Sequence, residues 1–207
     1  MIAIINYKAG NLASVSNALE RLGAPHVITS ELDALESADA IIFPGVGHAQ
    51  AAMQSLHENN LAGWLRQTKK PLLGICLGMQ LFFESSDEGD TECLGIIPGR
   101  LRLFDNANVK VPHMGWNHFS SVGNHPLLAG IDEKDYFYYV HGYYAPVTEY
   151  TIATCHYDAG FSSVVARDNF TGVQFHPEKS GANGVKLLQN FLEFAGAQTG
   201  PKNKLII

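Results

Sequence analysis

The sequence predicts an α/β fold: a mostly parallel central sheet flanked by helices, with an additional antiparallel portion. Three observations carry this expectation. Short apolar runs alternate with amphipathic helical stretches as far as Ile75. From Gly95 onward, short strands and turns replace that alternation. The composition sets 46% apolar residues against only 16% charged ones, with 20 glycines, which suits buried strands joined by tight turns.

Taken in order, Ile2 to Ile5 is a compact strand. Asn11 offers a side-chain oxygen to the free amides of a helix start, and Leu12, Val15, Leu19 and Leu22 fall on one stripe before Gly23. His26 to Thr29 and Ala40 to Phe43 are further short strands. Residues 49–67 read as mostly helical with an interruption around Gly63, and Leu72 to Ile75 is an apolar strand. Cys76 follows at once, and LGMQLFFE can begin a helix there. LRLF, KVPHMGWN, DYFYYVHGYY, TIATCHY and FSSVVARD form the antiparallel portion, with no linker to set it apart. TGVQFHPE is the last strand and precedes a helix from about Asn183 to Phe194. Residues 1–200 are expected to make one domain, and 201–207 a C-terminal tail.

The chain has 207 residues, enough for one large core without metals or disulfides. Its formal charge of -6 lacks the broad basic surface of a nonspecific nucleic-acid binder. Cys76, Cys93 and Cys155 contain no C-x-x-C pair, and an odd count leaves at least one thiol free, which fits a reducing cytoplasm. The opening MIAIINYKAG is too short in apolar residues and too poor in basic ones for a signal peptide, and no apolar run is long enough to span a membrane.

Three segments carry chemistry. In GICLG, Gly74 and Gly78 leave room for a tight strand-to-helix turn from which Cys76 projects, with the Leu77 amide facing developing negative charge. A buried cysteine closing a strand is the competing reading. In FHPEK, an extended chain points His176 and Glu178 to one side, so the carboxylate can fix the imidazole while the other ring nitrogen takes a thiol proton. Metal binding is the weaker alternative, because no H-E-x-x-H or C-x-x-C unit supplies further ligands, and a plain surface pair is another. PGVGH follows an apolar strand and can expose an amide near Val46 as a second oxyanion donor, or serve as an ordinary loop. No phosphate-binding glycine motif is present.

Together these segments resemble the class I glutamine amidotransferases. GICLG with HPE specifies that family. MGWN, the GNLASV start and HPEKSG point within it to the glutaminase subunits of the histidine pathway rather than to the guanylate, carbamoyl phosphate, anthranilate or pyridoxal phosphate relatives. The resemblance runs through NYKAGNLASVSNAL, PGVG, GICLGMQLFFE, VPHMGWN, YYVHGYY, FHPEKSG and NFLEF. It implies that Cys76 attacks the glutamine side-chain amide, His176 moves the protons and Glu178 orients His176. A γ-glutamyl thioester forms and water hydrolyses it. It further implies an oxyanion hole from Leu77 and the Gly45–Val46 segment, which must reorient first. The implied glutamine pocket contains Gln80, Glu88, His141, Gly142 and Tyr143, with no cofactor and no metal.

The resemblance also implies a partner, a cyclase subunit with a (β/α)₈ barrel, joined in a heterodimer. That partner uses channelled ammonia to form imidazole glycerol phosphate and aminoimidazole carboxamide ribotide. Trp116, Asn117, Tyr139 and Lys179 match segments that face it. Three positions differ from the usual pattern: Asn6 stands for an aspartate, His48 for a small apolar residue and Gly142 for a serine. The alternative function is a cysteine hydrolase of the same architecture acting on another amide or a peptide.

Overall fold

The structure, a computed structural model, describes residues 1–7 and 10–197; the expected tail at 201–207 lies outside the described residues. In chain order the elements are β1 (Ile2–Ile5), α1 (Leu12–Arg21), β2 (His26–Thr29), α2 (Leu32–Ser37), β3 (Ala40–Gly45), α3 (Ala49–Glu58), α4 (Leu61–Gln67), β4 (Leu72–Cys76) and α5 (Leu77–Gln80). There follow β5 (Phe83–Ser86), β6 (Thr91–Glu92), β7 (Ile97–Leu103), β8 (His113–His118), β9 (Ser121–Val122), β10 (Tyr136–His141) and β11 (Tyr143–Tyr144). The chain continues with β12 (Thr151–His156), β13 (Gly160–Arg167), β14 (Phe170–Val173) and α6 (Gly181–Phe194).

The main sheet has eight strands in the order β2-β1-β3-β4-β14-β13-β12-β9. Pairing is parallel from β2 to β14 and antiparallel beyond it. The alternation along β1 shows how two layers are fed: Ile2 and Ile4 join one core cluster, Ala3 and Ile5 the other. The first cluster takes Val15, Ala18 and Leu19 of α1 and Leu187, Leu188, Phe191 and Leu192 of α6. The second takes the buried sides of α2, α3 and α4. Asn11 caps α1 as expected, accepting from the Ser14 amide at 3.3 Å.

Several details differ from the sequence expectation. The helical stretch 49–67 breaks at Asn59–Asn60, not at Gly63. Asn60 takes a left-handed φ of 57°, and Gly63 lies inside α4. The helix after Cys76 lasts a single turn, because Phe83 must leave it to pair with β7 beneath the second core layer. The short helix α2, with only Leu35 buried, was not anticipated.

Candidate active site

Three neighbouring parallel strands, β3, β4 and β14, end on the same side of the sheet, and the three motif segments leave from those ends. Gly45 pairs with Cys76 across β3 and β4, and Val173 pairs with Ile75 across β14 and β4. The topology thus brings together segments that lie far apart along the chain.

Cys76 occupies a left-handed backbone position, φ 54° and ψ -111°, a geometry that costs a non-glycine residue about 1–3 kcal/mol. The turn is compact because Gly45, Gly74 and Gly78 around it carry no side chain. A β-carbon on Gly45 would fall within 2.8 Å of Tyr7 Oη, the Gly78 amide nitrogen and Leu77 Cβ. Leu77 opens α5 directly after the cysteine, so its N–H is one of those a helix leaves without an internal partner. The Cys76 thiol is buried, 3.9 Å from the Val140 carbonyl, and the Gln174 side-chain amide donates to its sulfur at 3.7 Å.

His176 follows β14. Its Nδ1 donates to Glu178 Oε1 at 2.8 Å, with both side chains only 2% exposed. The pair meets differently from the extended arrangement expected: Glu178 sits in a 3₁₀ turn, Pro177–Lys179, that swings its carboxylate back. His176 Nε2 and Glu178 Oε2 have no hydrogen-bond partner. Burial alone would lower the His176 pKa, but Cys76 and Glu178 outweigh it and raise the value above that of a free imidazole. The raised value makes His176 a stronger base beside the cavity it shares with Cys76.

Cys76, Leu77 and His176 border a cavity of about 300 Å³, shared with Val46, Gly47, Gln80, Glu88, Pro112, Val140, His141, Gly142 and Tyr143. That volume is at the lower end for small-molecule sites and suits an amino-acid-sized ligand. Both Nε2 hydrogens of Gln80 are used internally, on the Tyr143 carbonyl at 2.8 Å and on Gln174 Oε1 at 2.9 Å, so only its oxygen is left to accept from a ligand. Glu88 borders the cavity while its Oε2 accepts the Ala49 amide at 2.7 Å, capping the helix that follows PGVGH. His48 caps the same helix through Nδ1, which accepts from the Gln50 amide at 3.2 Å. The Gly142 carbonyl accepts from Phe104 N at 3.1 Å. A β-carbon at Gly142 would meet Val111 Cγ1 at 3.4 Å, an ordinary contact, so nothing steric requires glycine there. Among the described residues no cluster of histidine, cysteine, aspartate and glutamate could hold a metal, and no helix is long and apolar enough to cross a membrane.

Behind the turn, Tyr7 Oη is fully buried without a partner, and burial followed by the influence of Cys76 raises its pKa well above the ordinary phenol value. His113 and His141 are also buried, and burial pushes their pKa values down to about 4 and about 3. In the unfolded chain both take protons near pH ~6.5. The stability they contribute is therefore present above that pH and is lost as pH falls towards the folded values. Denaturant midpoints should decline from about pH 6.5 to about pH 4, and His113→Phe should flatten that decline. A slope identical in the variant and the parent would contradict a neutral buried His113.

The four residues expected on the partner-facing surface separate. Trp116 is 55% exposed and Lys179 is exposed, its Nζ 6.0 Å from the centre of the Tyr138 ring. Tyr139 is a correction: it is fully buried, its hydroxyl hydrogen-bonded to Ser163 Oγ at 2.6 Å. The register of β10 puts Tyr138, not Tyr139, opposite Trp116, with the rings in an edge contact at 6.0 Å. Asn117 also turns inward on β8, its Nδ2 donating to the His156 carbonyl at 3.0 Å. Sequence reasoning missed Gln174, although a glutamine two residues before His176 in an apolar strand was the available signal.

The glutamine amidotransferase class-I family model matches residues 3–194. The imidazole glycerol phosphate synthase subunit HisH of Colwellia psychrerythraea is 46% identical over 205 residues, covering 92% of this chain and 91% of the relative. The protein of the same name from Nitratidesulfovibrio vulgaris is 49% identical over 202 residues, covering 92% and 95%. Among solved structures, a glutamine amidotransferase superposes with TM-score 0.72 at 19% identity, covering 95% of this chain and 100% of the other. A chain of PurLQS from Thermotoga maritima does so with TM-score 0.64 at 20% identity, covering 93% and 97%. At those identities the structural likeness speaks for the fold.

Proposed function

Because the chain belongs to the class I glutamine amidotransferases, we propose that it is the glutaminase subunit of an imidazole glycerol phosphate synthase, acting in histidine biosynthesis. The observation that carries the chemistry is the convergence of Cys76 and His176, the latter held by Glu178, on one cavity at the ends of β4 and β14. His176 takes the Cys76 thiol proton as the sulfur attacks the side-chain amide carbon of glutamine, and the amide oxygen becomes an oxyanion. The Leu77 N–H and an N–H of the Gly45–Val46 segment receive that charge. His176 gives its proton to the departing nitrogen, ammonia leaves and a γ-glutamyl thioester remains. Water then attacks the thioester carbon as His176 removes its proton. The carbon–sulfur bond breaks, glutamate is released and His176 returns the proton to the sulfur. Glu178 keeps the His176 tautomer in place throughout.

Glu88 suits the substrate ammonium group by charge, and Gln80 with residues 141–143 lines the same cavity. Ammonia passes to a cyclase partner with a (β/α)₈ barrel in a heterodimer. Met114 and Trp116, 63% and 55% exposed on one face of β8, supply its apolar anchor, with Tyr138 and Lys179 beside them. Three free cysteines fit a reducing cytoplasm. The test is glutamate release from glutamine by the purified chain, alone and with a purified cyclase partner plus its ribotide ligand. Stimulation of about 100-fold or more is expected, within the range of strong allosteric coupling. Peptide cleavage without any stimulated glutamine hydrolysis would instead identify a cysteine hydrolase of another specificity.

A further inference from the structure

The cross-strand partners His113 on β8 and His141 on β10 stand in a chain of hydrogen bonds that the catalytic steps do not use. Its polarity is set at one end. The Tyr143 carbonyl can only accept, so His141 Nδ1, 2.8 Å away, carries a hydrogen and His141 Nε2 is left as an acceptor. His113 Nδ1, 3.1 Å from that nitrogen, must then be the donor, and His113 Nε2 faces Asn117 Nδ2 at 3.4 Å, which can only give a hydrogen. Every bond runs one way, from Asn117 through two neutral rings to Tyr143.

Packing holds the rings in this arrangement. His113 stacks on Tyr157 at 4.1 Å and on Tyr139 at 5.1 Å, and His141 lies 5.2 Å from the Phe161 ring centre. The Tyr143 carbonyl receives both His141 and Gln80 Nε2, which uses its two acceptor sites. One end of the chain thus fixes a wall of the cavity, and the other adjoins Trp116 on the exposed face of β8.

We infer that His113 and His141 are positioning residues for glutamine binding, holding the 141–143 wall of the cavity in register with the strand that presents Trp116. The inference rests on the glutaminase reading. Burial keeps both rings neutral, so the polarity persists across the physiological pH range.

The test uses the complex assembled with the cyclase partner. His113→Phe keeps a ring between the tyrosines but removes the donor to His141. It should raise KM for glutamine about tenfold, leave kcat within about twofold and leave ammonia-dependent synthesis unchanged. His113→Asn, which retains a donor near the Nδ1 position, should recover most of that loss. Nitrogen NMR of the parent chain should show His141 protonated on Nδ1 and bare on Nε2 from about pH 5.5 to 8. An unchanged KM in His113→Phe, a loss confined to kcat, or His141 protonated on Nε2 overturns the inference. Absence of glutamine turnover in the parent complex defeats the glutaminase reading instead, and the tautomer measurement still decides the polarity.

Discussion

Cys76→Ala should reduce glutamine hydrolysis by the complex by about 10⁴-fold or more, while synthesis supplied with ammonium salts continues at the parent rate. The size follows from chemistry: without the sulfur there is no covalent intermediate, and water would have to attack a resonance-stabilised amide directly. No other thiol can substitute. Burial, reinforced by Glu88, pushes Cys93 up to about 12, and burial pushes Cys155 up to about 11. The variant retains the β-carbon and the positive φ at position 76, so the backbone keeps its geometry. Glutamate release and ammonia-supported product formation, measured on the same preparation, separate the lost step from a lost fold. Equal loss of both activities would show that Cys76 maintains the structure or the interface.

Gly78→Ala should be the most damaging single methyl in the turn that carries Cys76. A β-carbon there would lie 1.9 Å from the Phe43 carbonyl oxygen and 2.9 Å from its carbon. Those are backbone atoms in the centre of β3, so no side-chain rotation relieves the clash. β3 and α5 must separate, at a cost of more than about 3 kcal/mol. For a chain of this length the melting midpoint should fall by about 6 °C or more, or the protein should fail to accumulate. Gly63→Ala is the control: nothing lies within 4 Å of its β-carbon position, and in the interior of α4 alanine should stabilise by up to about 1 kcal/mol. A melting midpoint for Gly78→Ala within about a degree of the parent would refute the close approach of β3 to the turn.

The parts of this molecule legible in the sequence are those where one rule acts alone. Apolar runs such as Ile2–Ile5 and Leu72–Ile75 have no competing periodicity, and they are strands. Glycines on both sides of Cys76 pointed to a tight turn because few other arrangements need them. Where two rules competed, local reading went astray. LGMQLFFE has helical spacing, but Phe83 pairs on β5 while Phe82 fills the same core layer from the turn before it, so tertiary packing ended the helix at Gln80. DYFYYVHGYY carries aromatic residues at both parities, so its composition could not distinguish an outward Tyr138 from an inward Tyr139. Only the pairing of β10 with β8 decides that. Gln174 escaped notice for a related reason: one polar residue in an apolar strand acquires meaning when its neighbours across the sheet are known.

Tyr7 Oη, His176 Nε2 and Glu178 Oε2 are the buried side-chain atoms left without partners among the described residues, and all three belong to the surroundings of Cys76. Among the described residues, unsatisfied buried side-chain groups are therefore gathered at one place rather than spread through the core. Screening a library of variants for resistance to heat, with no demand for turnover, would be drawn to these positions first, since phenylalanine for Tyr7 or apolar replacements for the pair remove unsatisfied groups. The most heat-resistant descendants of this chain would be expected to have lost the site, so any stabilisation campaign should hold these three residues fixed.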